Sequence, residues 1–92
     1  MKKYMLCSHK LKDFARWKKL FDTHADQHRA AGMKLVNIRR EIGVPNNIFF
    51  MLEIADIEKA NAFINAPGNE KIAEQAGLIE GTMHYVEELN DA

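Results

Sequence analysis

The chain has 92 residues, with 13 lysines and arginines balanced by 13 aspartates and glutamates, and 47% of it is hydrophobic. That length leaves room for a single domain spanning residues 1–92, because domains run from about 50 to 250 residues. A formal net charge of zero excludes a general polyanion or acidic-membrane binder, which needs a basic excess, and the apolar content excludes a disordered chain.

A domain this small buries only roughly 60–65% of the surface its unfolded chain exposes. Pairing with a second copy would bury more, so a homodimer is expected. The one cysteine, Cys7, has no partner for an internal disulfide, which fits a reducing, cytoplasmic setting. The apolar stretch around Met5–Cys7 is too short for a signal core. Ile48–Leu52 is far below the roughly 20 residues that a membrane span requires, so no membrane partner is expected.

Lys3–Lys10 is aromatic and apolar but too short for a stable helix, and reads as a first strand. Asp13 is placed to cap a helix in which Phe14, Trp17, Phe21, His24, Ala25 and His28 form one stripe at three- and four-residue spacing. Gly32 supplies its stop, giving a single helix of about five turns. Met33–Ile42 reads as a second strand, Gly43–Asn47 as turn chemistry, and Ile48–Ile54 as a third strand, the pair forming a hairpin. The third strand is apolar on both parities, which implies that both its faces are covered, one by helices and one by a partner sheet.

Asp56 caps a second main helix with Ile57, Ala60, Phe63 and Ile64 on one side, ended by Pro67-Gly68. A short helix from Asn69 to Ala76 follows, terminated by Gly77. Glu80–Leu89 alternates as a fourth strand. The order β-α-β-β-α-β is an α+β, ferredoxin-like pattern, whose antiparallel sheet is ordered 4-1-3-2. Charge supports the pairing of the first and last strands. Lysines 2, 3, 10 and 12 flank the first, and Glu80, Glu87, Glu88 and Asp91 flank the fourth, so antiparallel pairing brings opposite charges together. The neutrality of the chain is itself a cancellation: residues 1–46 carry +7 and residues 47–92 carry −7.

The segment His9-Lys10-Leu11-Lys12-Asp13, with Trp17, Phe21-Asp22, Arg29, Gly32, Arg39, Pro45-Asn46, Glu53, Asp56, Ala60, Phe63, Ala76-Gly77 and Tyr85, resembles small bacterial proteins of the dimeric α/β-barrel superfamily. That group includes the antibiotic-biosynthesis-monooxygenase-like and "cyclase"-like domains. The resemblance covers nearly the whole chain. It implies a ferredoxin-like protomer whose sheet packs face to face on a second copy, helices outside, with a cavity for a small apolar or aromatic molecule. Its members include cofactor-independent oxygenases, isomerases, haem-degrading enzymes and proteins without known activity, and the matching residues are mainly scaffold, which identifies architecture rather than chemistry.

The chemistry-bearing candidates are few. His24 and His28, four apart on one helix face, have a spacing at which two imidazoles share a metal. With no defined third ligand, the structural reading, half-exposed histidines near a helix end, is preferred, and no metal is expected. Glu53 is the only charge inside the third strand, and a carboxylate in an apolar run must pair or shift its pKa. It either meets His24 or His28 or faces the dimer seam, where an ion pair with Arg39 or Arg40 is the preferred reading. His9 and His84 are expected as cross-strand neighbours at one end of the sheet, opposite the end that holds His28. Either has the ordinary pKa of a general base, against the simpler reading of a wetted sheet-end residue. Cys7 reads as a buried apolar side chain. Trp17 and Phe21 read first as core residues and second as cavity walls, His84 and Tyr85 read as cavity-lining, and the Tyr4 and Tyr85 hydroxyls either sit at the cavity edge or make sheet-end hydrogen bonds.

An RNA-recognition module shares this fold but carries a glycine-containing basic-aromatic signature in its third strand. Ile48-Phe49-Phe50-Met51-Leu52-Glu53 lacks it, so no nucleic-acid partner is expected. No phosphate-binding glycine loop, paired-cysteine motif or nucleophile elbow occurs. The sequence thus points to a homodimer with a modest cavity for a small organic molecule, acting without a tightly bound cofactor as an oxygenase- or isomerase-like enzyme. The alternatives are a non-catalytic dimeric module and a histidine-based metal or haem binder.

Overall fold

The computed structural model describes residues 1–89. Four strands, β1 (Lys3–Leu11), β2 (Met33–Glu41), β3 (Val44–Ile54) and β4 (Leu78–Glu87), form one antiparallel sheet in the order β2-β3-β1-β4. Helices α1 (Phe14–Thr23), α2 (Ala25–Ala30), α3 (Ile57–Ile64) and α4 (Asn69–Gln75) complete the ferredoxin-like βαββαβ arrangement. Among the described residues no helix is long and apolar enough to cross a membrane.

Strand parity decides which residues build the core, since successive side chains point to opposite faces. Met5, Cys7 and Leu11 of β1 and Ile48, Phe50, Leu52 and Ile54 of β3 are buried and pack with Trp17, Ala60 and Ala76 from the helical layer. The other parity of β1 and β3 includes Leu6 and Phe49, each 41% exposed, and Glu53. Register fixes these neighbours: Cys7 stands opposite Phe50 on one side and Met83 on the other.

The helices start where their sequences place caps. Asp13 accepts a hydrogen bond from the Arg16 amide at 2.9 Å, and Asp56 accepts from the Glu58 amide at 2.9 Å, each satisfying a donor that the first turn leaves unpaired. Asn46 adds a tertiary cap: its Oδ1 accepts from the Phe14 amide at 3.0 Å, which ties the start of α1 to β3. Between α2 and β2 the chain reverses at Gly32, whose φ of +74° is accessible to glycine without the steric cost of a Cβ.

Three details differ from the sequence expectation. The first helix is interrupted at His24, with φ −96° and ψ 11°. There the His24 amide donates to the Phe21 carbonyl at 3.1 Å and the ring Nδ1 lies 2.9 Å from the Leu20 carbonyl, so the side chain satisfies a carbonyl at the break. The stripe nevertheless continues through it, because the His28 amide donates to the His24 carbonyl at 3.0 Å. The hairpin between β2 and β3 is also tighter than Gly43–Asn47: Glu41 pairs with Val44, which leaves Ile42-Gly43 as the tip and draws Pro45-Asn46-Asn47 into β3. Finally, β4 begins at Leu78 and ends at Glu87 rather than spanning Glu80–Leu89.

The charge pairing of the first and last strands is present. Lys3 stands opposite Glu87, the Glu88 amide donates to the Lys2 carbonyl at 2.9 Å, and Lys10 Nζ lies 3.7 Å from Glu80 Oε2. The expected contribution of Asp91 lies outside the described residues. The Lys10–Glu80 pair is well exposed, so it guides register more than it adds stability.

Candidate functional site

Between the helical layer and the β1–β4 side of the sheet lies a cavity of about 390 Å³, within the size range of small-molecule sites. Its apolar wall includes Trp17, Phe21, Phe63 and Ile72, and its polar groups are His9, His24, His28, Asn69 and Glu70. The helix stripe read from the sequence is the reason Trp17, Phe21, His24 and His28 converge on it. They share one face of the α1–α2 segment, and that face covers the sheet.

Three histidines therefore reach one cavity, which corrects the expectation that His9 and His28 sit at opposite ends. His9 projects from β1 on the core parity, with its ring edge-on to Phe50 at 4.9 Å and to Trp17 at 5.9 Å between centroids. Its Nδ1 is buried without a hydrogen-bond partner, and burial pushes its pKa down to about 4. At neutral pH the ring is neutral. His28 is held by Phe21 at 4.8 Å and Phe63 at 5.4 Å; burial first, and then the neighbouring His24, lowers its pKa. His24 is oriented by its Nδ1 contact with the Leu20 carbonyl.

Gly81 is a site residue that the sequence reading missed. It stands opposite His9 in the β1–β4 register. A Cβ there would meet His9 Cδ2 at 3.0 Å and Nε2 at 3.3 Å, a tight contact to which the ring would have to yield by a few tenths of an ångström. A glycine inside a strand is a signal of close approach, and here what approaches is the candidate imidazole.

Other expected site residues are placed elsewhere. His84 stands opposite Leu6 on the face away from the helices, so it neither neighbours His9 nor lines the cavity; a strand's alternation sends it to the other side. Tyr85 is on the core parity, but its hydroxyl donates to Asn61 Oδ1 at 2.6 Å on α3, and it is not part of the cavity wall. Burial raises its pKa. Glu53 is on the opposite parity from the core residues of β3, with Lys2 Nζ 3.6 Å away; Arg40 instead covers the Phe14 ring at 4.7 Å. Glu53 borders a cleft beside β2 that His28 also lines, without completing a ligand set with His24 or His28. Among the described residues no three histidine, cysteine, aspartate or glutamate side chains come together in a way that could hold a metal ion. Cys7 is buried among apolar side chains, its thiol pushed up to about 12 by burial, which leaves it protonated and unsuited to nucleophilic attack.

The arrangement is a largely apolar, aromatic-walled cavity with neutral imidazole at its edge. It is suited to holding a flat apolar molecule and to hydrogen bonding or proton transfer at an oxygen of that molecule.

Solved structures of the same architecture exist. A candidate antibiotic biosynthesis monooxygenase from Bordetella bronchiseptica superposes with a TM-score of 0.77 over 97% of this chain and 98% of its own, at 11% identity. The fold is that of the antibiotic-biosynthesis-monooxygenase-like proteins. A candidate member of that group from Caulobacter crescentus matches with a TM-score of 0.72 at 10% identity, over 97% of this chain and 91% of its own. A nipsnap family protein of unknown function from Agrobacterium tumefaciens matches with a TM-score of 0.72 at 13% identity, over 99% and 91%. No family model matches the sequence, and no curated protein does. At such identities the likeness shows a shared fold, and one fold hosts many functions.

Proposed function

We propose that the protein is a homodimeric, oxygenase- or isomerase-like enzyme that binds a small apolar or aromatic molecule in the helix–sheet cavity and acts on it without a resident cofactor. The observation that carries this reading is the convergence of His9, His24 and His28 on a cavity of about 390 Å³ walled by Trp17, Phe21 and Phe63. A purely structural module gains nothing from an apolar, aromatic-walled cleft left open to water, since burying apolar surface is what stabilises a fold. Nor does it gain from a desolvated imidazole without a partner.

The three histidines suit different parts of such chemistry. With its pKa near 4, His9 is a weak base and is suited to hydrogen bonding a hydroxyl or carbonyl oxygen of the ligand as a neutral group. His28 and His24 share the cavity and are the candidates for moving a proton. Removal of a proton from a hydroxyl, or from carbon beside a carbonyl, is the step through which an isomerase or a cofactor-independent oxygenase prepares its substrate.

Thermal-shift screening of one- and two-ring aromatics tests the binding. A ligand at about a hundred times its Kd stabilises the fold by about 2.7 kcal/mol. That stabilisation is expected to vanish in Ala73→Trp, where the new ring occupies the cavity that Ala73 lines. Stabilisation by no compound, or unchanged stabilisation of the Ala73→Trp protein, would sink the reading.

The dimer is supported by the sheet face away from the helices, where Leu6 and Phe49 are each 41% exposed and Tyr4, Met51 and Val86 share the surface. A second sheet on this face would take that apolar area out of water. Sedimentation at micromolar concentration is expected to show about twice the 10.6 kDa chain mass, shifting to the single chain in Phe49→Asp; a wild-type monomer would overturn the assignment.

A further inference from the structure

The charges around the cavity are distributed unevenly, and this bears on what enters it. Among the described residues no lysine or arginine contributes to its wall, and Glu70 is the one carboxylate there. Four of the basic side chains on the neighbouring helices and on β2 are engaged elsewhere. Arg16 donates through Nε to the Gln75 carbonyl at 2.7 Å, Lys18 pairs with Asp22 at 2.7 Å, Arg29 pairs with Asp26, and Arg40 covers Phe14. The two imidazoles that burial keeps neutral, His9 and His28, supply no positive charge either.

An anionic ligand would therefore leave water for a wall with no lysine or arginine and one carboxylate, which is costly. A neutral hydroxyl or carbonyl loses only hydrogen bonds that imidazole and the Asn69 amide replace. Asn69 is itself anchored, donating through Nδ2 to the Phe63 carbonyl.

We propose that the cavity selects an uncharged aromatic molecule bearing a hydroxyl or carbonyl group over the carboxylate of the same ring system. This rests on the cavity being the ligand site. Selectivity arises here from the absence of lysine and arginine from the described cavity wall, combined with the position of Glu70.

Calorimetric titration of the full chain with 2-naphthol and with 2-naphthoate at pH 7.5 tests it, with the indole N–H signal of Trp17, the only tryptophan, reporting occupancy of the cavity. The expected result is a Kd for 2-naphthol at least tenfold below that for 2-naphthoate, with the indole signal shifted by 2-naphthol. Glu70→Gln is expected to narrow the gap by improving naphthoate binding alone. Naphthoate binding as tightly as naphthol, with the indole signal shifted by both, would overturn the charge selectivity and leave the cavity as the ligand site. An indole signal that neither compound moves would overturn both.

Discussion

Replacing Trp17 by alanine is expected to destabilise the protein by about 3–5 kcal/mol, the range for removing a large aromatic side chain from a packed core. Trp17 is 4% exposed and lies at the centre of the aromatic cluster. Its ring is 4.8 Å from Phe21, 5.2 Å from Phe50, 6.1 Å from Phe14 and 5.9 Å from His9 between centroids. Truncation removes the burial of the indole and leaves these four rings facing a void contiguous with the cavity. Small domains are stable by only about 5–15 kcal/mol, so a substantial share of the folding free energy is at stake. Far-UV circular dichroism in urea measures it, since the fluorophore is lost with the side chain. Trp17→Phe retains most of the contacts and is expected to lose less than half as much. A cost below about 1 kcal/mol for alanine would show that the aromatic cluster is not what joins the first helix to the sheet.

The residues that carry this packing were legible because they obey a period. Phe14, Trp17 and Phe21 recur at helical spacing, while Ile48, Phe50, Leu52 and Ile54 alternate, and the apolar content of both parities of β3 marked a strand with two faces to account for. The lysines of β1 and the glutamates of β4 indicated which strands are neighbours, and the order β2-β3-β1-β4 agrees. What the pattern leaves undetermined is register and local backbone choice. The break at His24 depends on a ring nitrogen that meets a carbonyl one turn back, a choice that the stripe through Phe21, His24 and His28 does not reveal because the stripe continues across it.

The site was legible in part for the same reason. The face carrying Trp17, Phe21, His24 and His28 is periodic, so their convergence follows from the helix. His9 and His84 were misplaced relative to one another because a shift of one residue in register reverses the face of every side chain, and His9 stands opposite Gly81 rather than His84. The significance of Gly81 depends on what stands across from it, which spacing along the chain does not encode. Glu53 illustrates the converse. Parity alone sent it away from the helices, whereas its ion pair with Lys2 rather than with Arg39 or Arg40 depends on where the chain enters β1.

The titration of His9 supplies a second large effect. Burial lowers its pKa from 6.5 to about 4, so the unfolded chain binds the proton more readily than the folded one between those values. Stability from this group is then complete above about pH 6.5, is lost progressively as the pH falls, and levels off below about pH 4. The shift corresponds to about 3 kcal/mol, a value for a group largely shielded from water. His9→Phe keeps an aromatic ring against Trp17 and Phe50 and removes the titration. Urea unfolding of both proteins from pH 7.5 to 4.5 is expected to show a steeper loss in the wild type, about 2.5 kcal/mol more than in the variant by pH 4.5. His28 titrates in both proteins and cancels from the difference. In Gly81→Ala the new Cβ presses on the ring at 3.0–3.3 Å, and the His9 pKa measured by NMR is expected to move upward as the packing around the imidazole loosens. Parallel stability profiles, together with a His9 pKa near 6.5 in the wild type, would show that the ring is solvated and would remove the neutral imidazole from the proposed site.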